Sequence, residues 1–395
     1  MGIVCAQGWS VEEVWKGVLA ERECLAPVSI FTSPRCGHMP VAEVKGDTAE
    51  KSGLADGSRT DHLAAYAAGR AYDDAGLDSL TASKRSEVGI VLGTCTSGMI
   101  EAERFMQKVV REGLVDIGLL RHHECASPSN SVARAFGASG FRATVSDACA
   151  SGASAIATAC DAILSGEADV VIAGGADSLT RLTLNGFCSL LNVSPGGCRP
   201  FDAERDGMTL GEGAGVVILE SESHARSRGA RIRAFVAGCG STCDAFHTTA
   251  PKPDGSGALG AMRRALASAG MSPGDIDYVN AHGTGTVEND AAEALALRAL
   301  FGDRMPHVSS TKRFFGHTLA AAGAIEAIVC VLAMESGIAP SNLGLRRPDP
   351  KLGLVPVAHG AKATLKAAIS NSLGFGGANA SLVLTVGEEA ATDGR

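Results

Sequence analysis

Residues 143–152 read Ala-Thr-Val-Ser-Asp-Ala-Cys-Ala-Ser-Gly and pass from an apolar, strand-like run into an alanine-rich, helix-like run. This change of pattern places Cys149 in the first turn of a predicted helix, where the positive end of the helix dipole stabilises a thiolate. We therefore expect the pKa of Cys149 to fall from about 8.5 toward neutrality. Its neighbours are small, so a substrate carbonyl group could reach the sulfur. An ordinary buried cysteine at a strand–helix junction is the alternative.

Apolar strand-like runs and alanine-rich helical runs alternate along the rest of the chain, which indicates an α/β fold built from strand–helix units. Several predicted strands are apolar throughout, as expected when helices cover both faces of a sheet. A strand followed by a reactive residue and a helix occurs in each half, at Cys149 and at His282. A structural duplication is therefore possible. The predicted strands are 88–92, 143–146, 168–173, 215–220, 233–238, 277–281, 366–372 and 380–386, and the predicted helices are 60–75, 98–111, 149–165, 257–269, 290–301 and 318–335.

The composition is that of an acidic globular protein. The chain has 395 residues and a formal net charge of −8, which argues against nucleic-acid binding because that function needs a basic face. Its cysteines include no Cys-x-x-Cys pair and no zinc-ligand grouping. No apolar run reaches about 18 residues, and no signal peptide is recognisable at the N-terminus. We therefore predict a cytoplasmic protein with no membrane span.

Two histidines could complete a site around Cys149. His282 follows a predicted strand and precedes Gly-Thr-Gly-Thr, in which the hydroxyl groups of Thr284 and Thr286 could hold a polar ligand. A tight turn with a locally hydrogen-bonded histidine would give the same pattern. His317 precedes an alanine-rich helix whose N-terminus disfavours the imidazolium form, so we expect a neutral ring that can donate a hydrogen bond.

The helix after His317 contains a carboxylate in apolar surroundings. Glu326 needs a buried partner there, and Lys312 is the candidate, although an unrelated structural ion pair would also explain it. Residues 374–379 read Gly-Phe-Gly-Gly-Ala-Asn and predict a turn that carries one aromatic side chain, Phe375. The glycine-rich run 210–215 precedes a predicted strand instead of following one, which argues against a dinucleotide site.

Taken together, these segments resemble the β-ketoacyl-acyl-carrier-protein synthases of the elongating, two-histidine type, which belong to the thiolase-like superfamily. A single matching segment would be weak evidence. Eight of them occur in the family's order, which makes the resemblance specific. The matching segments are 1–4, 147–151, 199–207, 211–215, 244–254, 280–286, 310–326 and 371–379.

The resemblance implies a chemical role for each candidate residue. Cys149 would be the nucleophile that accepts an acyl chain from the phosphopantetheine of a carrier protein. His282 and His317 would promote decarboxylation of the malonyl group and stabilise the resulting enolate. Lys312 would support the two histidines, with Glu326 as its acidic neighbour.

Further residues match the substrate-binding part of the family's site. The N–H groups of Cys149 and Phe375 would form the oxyanion hole, and the Phe375 ring would shield the acyl-cysteine. Thr249, Thr284 and Thr286 would line the tunnel for the pantetheine arm. The resemblance implies no metal and no cofactor of the protein's own, because the phosphopantetheine arrives on the carrier protein.

The fold implied by the resemblance is a thiolase-like five-layered αβαβα sandwich, normally a homodimer. Its two similar halves would be residues 1–240, with the nucleophile, and 241–395, with the two histidines. The implied reaction is a decarboxylative Claisen condensation of an acyl-enzyme thioester with malonyl-acyl-carrier protein. The product would be a 3-oxoacyl-acyl-carrier protein in fatty-acid or polyketide/polyene chain elongation.

Other members of the superfamily fit the sequence less well. Thiolases place a second reactive cysteine near the C-terminal glycine-rich loop, where this chain has Phe375, and starter-type synthases have an asparagine in place of His317. The alternative from a different class is a non-catalytic, chain-length-factor-like subunit that partners an active ketosynthase. Such subunits usually lack the nucleophile, so Cys149 together with both histidines argues against this alternative.

Overall fold

The strands form two large sheets and two short ladders in the computed structural model, which describes residues 1–387. The strands are, in chain order, β1 (Gly2–Cys5), β2 (Ala26–Pro27), β3 (Pro40–Val41), β4 (Gly89–Gly93), β5 (Arg142–Val145), β6 (Val170–Asp177), β7 (Gly213–Glu220), β8 (Ala234–Cys243), β9 (Tyr278–Asn280), β10 (His307–Ser309), β11 (Ile338–Ala339), β12 (Ala361–Lys362), β13 (Ala367–Leu373) and β14 (Ala378–Val386).

Several helices begin at a residue whose side chain caps the first turn. Helix α3, for example, starts with a capping box between Ser58 and Asp61. The helices are α1 (Val11–Leu19), α2 (Thr48–Ser52), α3 (Arg59–Asp74), α4 (Ala82–Ser86), α5 (Met99–Glu112), α6 (Ser127–Phe136), α7 (Ser151–Leu164), α8 (Arg181–Ser189), α9 (Glu222–Ser227), α10 (Ser256–Ala269), α11 (Val287–Phe301), α12 (Lys312–Phe315) and α13 (Ala322–Ser336).

The two large sheets have similar internal pairing. The first has strand order β1-β7-β6-β4-β5 and the second has order β10-β9-β13-β14-β8. The central strands β6 and β13 each have one parallel and one antiparallel neighbour. Two similar halves are therefore present, as predicted. Strand β8 crosses the predicted boundary between residues 240 and 241 and pairs with β14 on both sides of it, so the position of the division stays a prediction.

Helices cover both faces of each sheet. Helix α3 packs on the outer face of the first sheet, against β1, β6 and β7, and α10 packs on the outer face of the second, against β8 and β14. Helices α7 and α13 lie between the two sheets and contact both of them. The layers follow the order αβαβα, which confirms the predicted thiolase-like five-layered sandwich.

Helix α13 is apolar on all sides because a sheet lies on each side of it. Every residue from Ala322 to Met334 is buried. The segment Leu319–Ser336 is long and apolar enough to cross a membrane, a property that was not predicted from the sequence. However, 89% of it is buried inside the protein. It occupies the position of a core helix, so its hydropathy is explained without a membrane.

The central layer is packed closely at the start of α7. A Cβ atom on Gly152 would lie 2.4 Å from the backbone oxygen of Ala320, and one on Gly175 of β6 would lie equally close to it. Only glycine leaves room for this approach. The residues that follow His317 therefore lie directly against those that follow Cys149.

The predicted elements are present with shifted ends. The helix predicted from residue 149 begins with a 3-10 turn, Ala148–Ala150, and the helix predicted from residue 318 begins with a similar turn, Leu319–Ala321. Ala148 and Leu319 have φ angles of 47° and 51°. A left-handed residue cannot continue a regular α-helix, so each helix proper starts only after its turn.

Candidate active site

Cys149 lies where the edge strand β5 of the first sheet runs into helix α7. The left-handed conformation of Ala148 costs a non-glycine residue about 1–2 kcal/mol, and Ser151 holds the turn. Its Oγ accepts a hydrogen bond from the Asp147 N–H at 2.8 Å and donates one to the Ala148 oxygen at 2.6 Å. The bend leaves Cys149 on the wall of a cavity.

The Cys149 thiol lacks the low pKa that the sequence suggests. Burial raises its pKa to about 11, although the Lys312 charge and the N–H groups of Phe375 and of Cys149 itself act in the opposite direction. The expectation of a pKa near neutrality was wrong because it considered the helix dipole and left out desolvation. The thiol is therefore protonated near pH 7 in the free protein.

The two histidines come from the second half of the chain. His282 follows strand β9, and His317 lies in the segment between α12 and α13. Their ring centroids are 5.2 Å apart, with planes nearly perpendicular. Burial, assisted by the Lys312 charge, holds both pKa values well below the usual range, so both rings are neutral. Neither ring nitrogen of His317 has a hydrogen-bond partner within the described structure, which leaves this buried side chain ready for a ligand.

A buried ion pair lies behind His282. The Lys312 Nζ is 2.5 Å from Glu326 Oε1 and 3.4 Å from the His282 Nδ1. Both side chains of the pair are almost completely buried. Lys312 is thus the buried partner that the sequence predicted for Glu326. Burial raises the pKa of Glu326, and the Lys312 charge offsets part of that rise. The cation is thereby fixed beside the His282 ring.

Glu293 on helix α11 is a site residue that the sequence reading missed. Its carboxylate accepts hydrogen bonds from the N–H groups of His282 and Gly283, both at 2.8 Å, and from Asn371 Nδ2 at 3.2 Å. The pattern that marked Glu326, a carboxylate in an alanine-rich helix, also marks Glu293. It went unnoticed because two of its three partners are backbone N–H groups, which the sequence does not reveal.

The cavity beside Cys149 has a volume of about 230 Å³ and a mixed polar and apolar lining. Cys149, His282, His317, Thr249, Thr284, Thr286 and Phe375 all line it. Within it the hydroxyl groups of Thr284 and Thr286 are 2.9 Å apart. Every predicted substrate-contacting residue thus reaches one cavity, while Lys312 and Glu326 stand behind its wall.

Phe375 approaches the nucleophile on a short 3-10 turn, Phe375–Gly377. Gly374 permits this approach, because a Cβ there would lie 3.2 Å from both the Cys149 nitrogen and the Asp147 oxygen. The Phe375 ring contacts the Phe187 ring of α8, with centroids 5.3 Å apart. The N–H groups of Phe375 and of Cys149 itself both act to lower the pKa of the Cys149 thiol, so two backbone donors from different segments lie close to the sulfur.

In the part of the chain that the structure describes, no group of three His, Cys, Asp or Glu side chains is arranged to hold a metal ion. The site instead combines a thiol, two N–H donors from different segments and two neutral imidazoles. Such a set can form a thioester and can stabilise an enolate oxygen by hydrogen bonding.

Family models match most of the chain. The domain described as beta-ketoacyl synthase, N-terminal domain, matches residues 1–225. The domain described as beta-ketoacyl synthase, C-terminal domain, matches residues 233–346. The two matches include Cys149 and both histidines.

Individual proteins are similar over long stretches. Nodulation protein E of Rhizobium meliloti (strain 1021) is 36% identical over 396 residues, which cover 97% of this chain and 96% of the relative. The 3-oxoacyl-[acyl-carrier-protein] synthase 2 of the same organism is 48% identical over 254 residues, which cover 61% and 60%. The solved structure of the ishigamide ketosynthase/chain length factor matches with a TM-score of 0.92 and 34% identity, covering 98% of this chain and 97% of that one.

Proposed function

The chain belongs to the beta-ketoacyl synthase family, and we propose that it is an active condensing enzyme. It would join an acyl group held on Cys149 to malonyl-acyl-carrier protein by decarboxylative Claisen condensation and release a 3-oxoacyl-acyl-carrier protein. The observation that carries this proposal is the convergence of Cys149, His282 and His317 on one cavity.

The first step is acyl transfer to the thiol. The Cys149 sulfur attacks the thioester carbonyl of an acyl-carrier protein, and the N–H groups of Cys149 and Phe375 stabilise the oxyanion. One such donor contributes about 3 kcal/mol to the transition state. The bond to the pantetheine sulfur breaks, and the proton from the Cys149 thiol ends on that sulfur. Because the free thiol is protonated, proton transfer must accompany the attack.

The second step is loss of carbon dioxide from the malonyl group. The malonyl thioester oxygen lies between His282 and His317, whose neutral rings donate hydrogen bonds to it as negative charge develops. Burial keeps the His282 ring uncharged, and Lys312, paired with Glu326, adds to this effect because a second cation beside it would be repelled. Breaking the bond to the carboxylate gives carbon dioxide and a thioester enolate.

The third step forms the new carbon–carbon bond. The enolate carbon attacks the acyl carbonyl on Cys149, and the carbon–sulfur bond of the acyl-enzyme breaks. The Cys149 sulfur takes up one proton from solvent and returns to its initial form. No metal and no cofactor of the protein's own takes part in this scheme.

The substrates and partners follow from the same site. Thr249, Thr284 and Thr286 would contact the pantetheine arm of an acyl-carrier protein, with malonyl and acyl thioesters as the reacting groups. Fatty-acid and polyketide or polyene elongation both fit this chemistry. We propose a homodimer in the cytoplasm as the working form.

A second candidate is a chain-length-factor-like subunit without condensing activity. The similarity to the ishigamide ketosynthase/chain length factor supports this candidate, because a chain-length-factor-like subunit would have the same fold as an active ketosynthase. Cys149 and both histidines favour the active enzyme instead.

Product formation tests the proposal. The purified chain is incubated with malonyl-acyl-carrier protein and acyl-carrier proteins of graded acyl length, and mass spectrometry follows the 3-oxoacyl product. We expect product from the wild type and from the control Cys160→Ala, whose cysteine lies on the same helix α7 away from the cavity. Cys149→Ala should give none. Absence of product from the wild type with every donor would favour the subunit role.

A further inference from the structure

Asp177, the last residue of β6, carries a carboxylate that the proposed reaction does not use. The residue is fully buried, and the partners of its side chain in residues 1–387 are N–H and hydroxyl groups. Burying a carboxylate without a cation is costly unless several donors surround it. The segments that carry these donors are therefore the segments that Asp177 holds in place.

One carboxylate oxygen holds the loop behind the nucleophile. Oδ1 of Asp177 accepts hydrogen bonds from the Thr94 hydroxyl at 2.9 Å, the Cys95 N–H at 2.9 Å and the Thr96 N–H at 2.7 Å. These residues follow strand β4. The Cys95 sulfur lies 3.2 Å from the Ala148 oxygen, so this loop contacts the turn that presents Cys149.

The other carboxylate oxygen holds the turn after His317. Oδ2 of Asp177 accepts a hydrogen bond from the Ala320 N–H at 2.9 Å, and it also accepts one from the Cys95 N–H at 3.2 Å. Leu319, in the left-handed conformation, packs in one apolar cluster with Cys149. One side chain thus connects segments that carry the nucleophile and a histidine from different halves of the chain.

We propose that Asp177 is a positioning residue that fixes the separation between the Cys149 turn and the His317 turn. A carboxylate suits this task because it only accepts hydrogen bonds and has room for several donors. Asparagine has the same shape, but its side-chain NH2 group would face N–H donors of one segment and could not accept their hydrogen bonds. The inference rests on the proposed function for its catalytic consequence, whereas its geometric and electrostatic consequences do not need that function.

The charge of Asp177 acts on the pKa of Cys149, and this effect can be measured separately from any loss of stability. The ionisable groups that act on the Cys149 thiol or line its cavity are Asp177, Lys312, Cys95, His282, His317, Asp244 and Glu288. Asp177 raises the pKa of Cys149, and Lys312 lowers it. Removing the negative charge should therefore make the thiolate more accessible at a given pH.

The test compares Asp177→Asn with the wild type in two assays. The first follows iodoacetamide alkylation of Cys149 against pH by peptide mass spectrometry, and we expect the profile to move on the order of one pH unit lower. The second compares acyl loading with condensation, and we expect condensation to fall about ten-fold more than loading because His317 is displaced. Asp61→Asn, which alters an equally buried helix-capping carboxylate, should change neither the profile nor the ratio.

An unchanged alkylation profile, with loading and condensation reduced equally, would overturn the inference. If Asp177→Asn does not fold, Thr96→Val keeps the carboxylate and removes the hydroxyl that donates to Asp177 at 2.8 Å and accepts from the Ser178 N–H at 3.2 Å. That variant should still lower the condensation-to-loading ratio by about two-fold or more, and an unchanged ratio would also overturn the inference. Alkylation needs no carrier protein, so if the wild type never condenses, the proposed function is refuted while the alkylation profile still tests the role of Asp177.

Discussion

At the scale of single residues, the site combines a thiol that resists ionisation with imidazoles that resist protonation. Burial causes both effects, because it penalises the charged form of every group. Cys149 and His317 therefore stay neutral until a substrate enters. In the proposed reaction negative charge develops on the thioester oxygens, where neutral N–H donors would stabilise it, and on the Cys149 sulfur when the acyl group leaves it.

The raised pKa of Cys149 makes its reactivity strongly pH-dependent. A thiol with a pKa of about 11 is largely protonated at pH 8, so iodoacetamide should alkylate it more slowly there than it alkylates glutathione. The rate should rise about ten-fold per pH unit up to pH 10 because the thiolate is the nucleophile. Peptide mass spectrometry measures this rate, and a plateau below pH 8 would contradict the raised pKa.

The Lys312–Glu326 pair should respond to pH when it is broken. Lys312→Met leaves the buried Glu326 carboxylate without its cation, which should cost about 3–5 kcal/mol at pH 8.5. The folded-state pKa of Glu326 is then raised further above its unfolded value near 4.5. Such a group binds its proton more tightly in the folded state, so the loss of stability should shrink as pH falls from 8.5 to 5.5.

Urea unfolding at both pH values measures this effect. The control Lys312→Met/Glu326→Gln has no carboxylate to protonate, so its stability relative to the wild type should depend less on pH. A single variant that loses as much stability at pH 5.5 as at pH 8.5 would show that Glu326 is not the group responsible.

At the scale of elements, helices α7 and α13 bring the two halves of the site together. Each is preceded by a 3-10 turn that contains one left-handed residue. The turns meet where Gly152 lies against Ala320. The nucleophile turn and the histidine turn are thus packed against each other before any substrate is bound.

Gly152→Ala should disturb this contact directly. The added Cβ would lie 2.4 Å from the Ala320 backbone oxygen, and such overpacking costs about 1–3 kcal/mol. Gly186→Ala in helix α8 is the matched control, since no atom lies within 4 Å of its added Cβ. The control should be neutral or slightly stabilising. Thermal unfolding of both variants measures the difference, and equal melting temperatures would contradict the close packing.

The sequence predicts elements and reactive residues better than it predicts their environments. Periodicity located strands and helices, and a carboxylate within the apolar part of a helix led to Glu326 and its partner Lys312. The pKa of Cys149 was predicted in the wrong direction because desolvation depends on segments distant in sequence. Glu293 and Asp177 escaped notice for the same reason, since their partners are mainly backbone N–H groups that sequence does not reveal.

At the scale of the whole molecule, the two sheets contribute different chemistry to one cavity. The first half supplies the thiol, and the second supplies both histidines and the Phe375 turn. The central layer of helices fixes their relative position because it contacts both sheets. Neither half could carry out the proposed reaction alone, and one hydrophobic cluster of the core contains residues from both halves.

The most direct test of this account follows one acyl group through the site. The protein is loaded with an acyl-carrier protein thioester, tandem mass spectrometry locates the added mass, and malonyl-acyl-carrier protein is then supplied. We predict a single acyl group on Cys149 that disappears on malonyl addition in the wild type but persists in His317→Ala. An acyl group on another residue, or equally fast discharge from His317→Ala, would contradict the account.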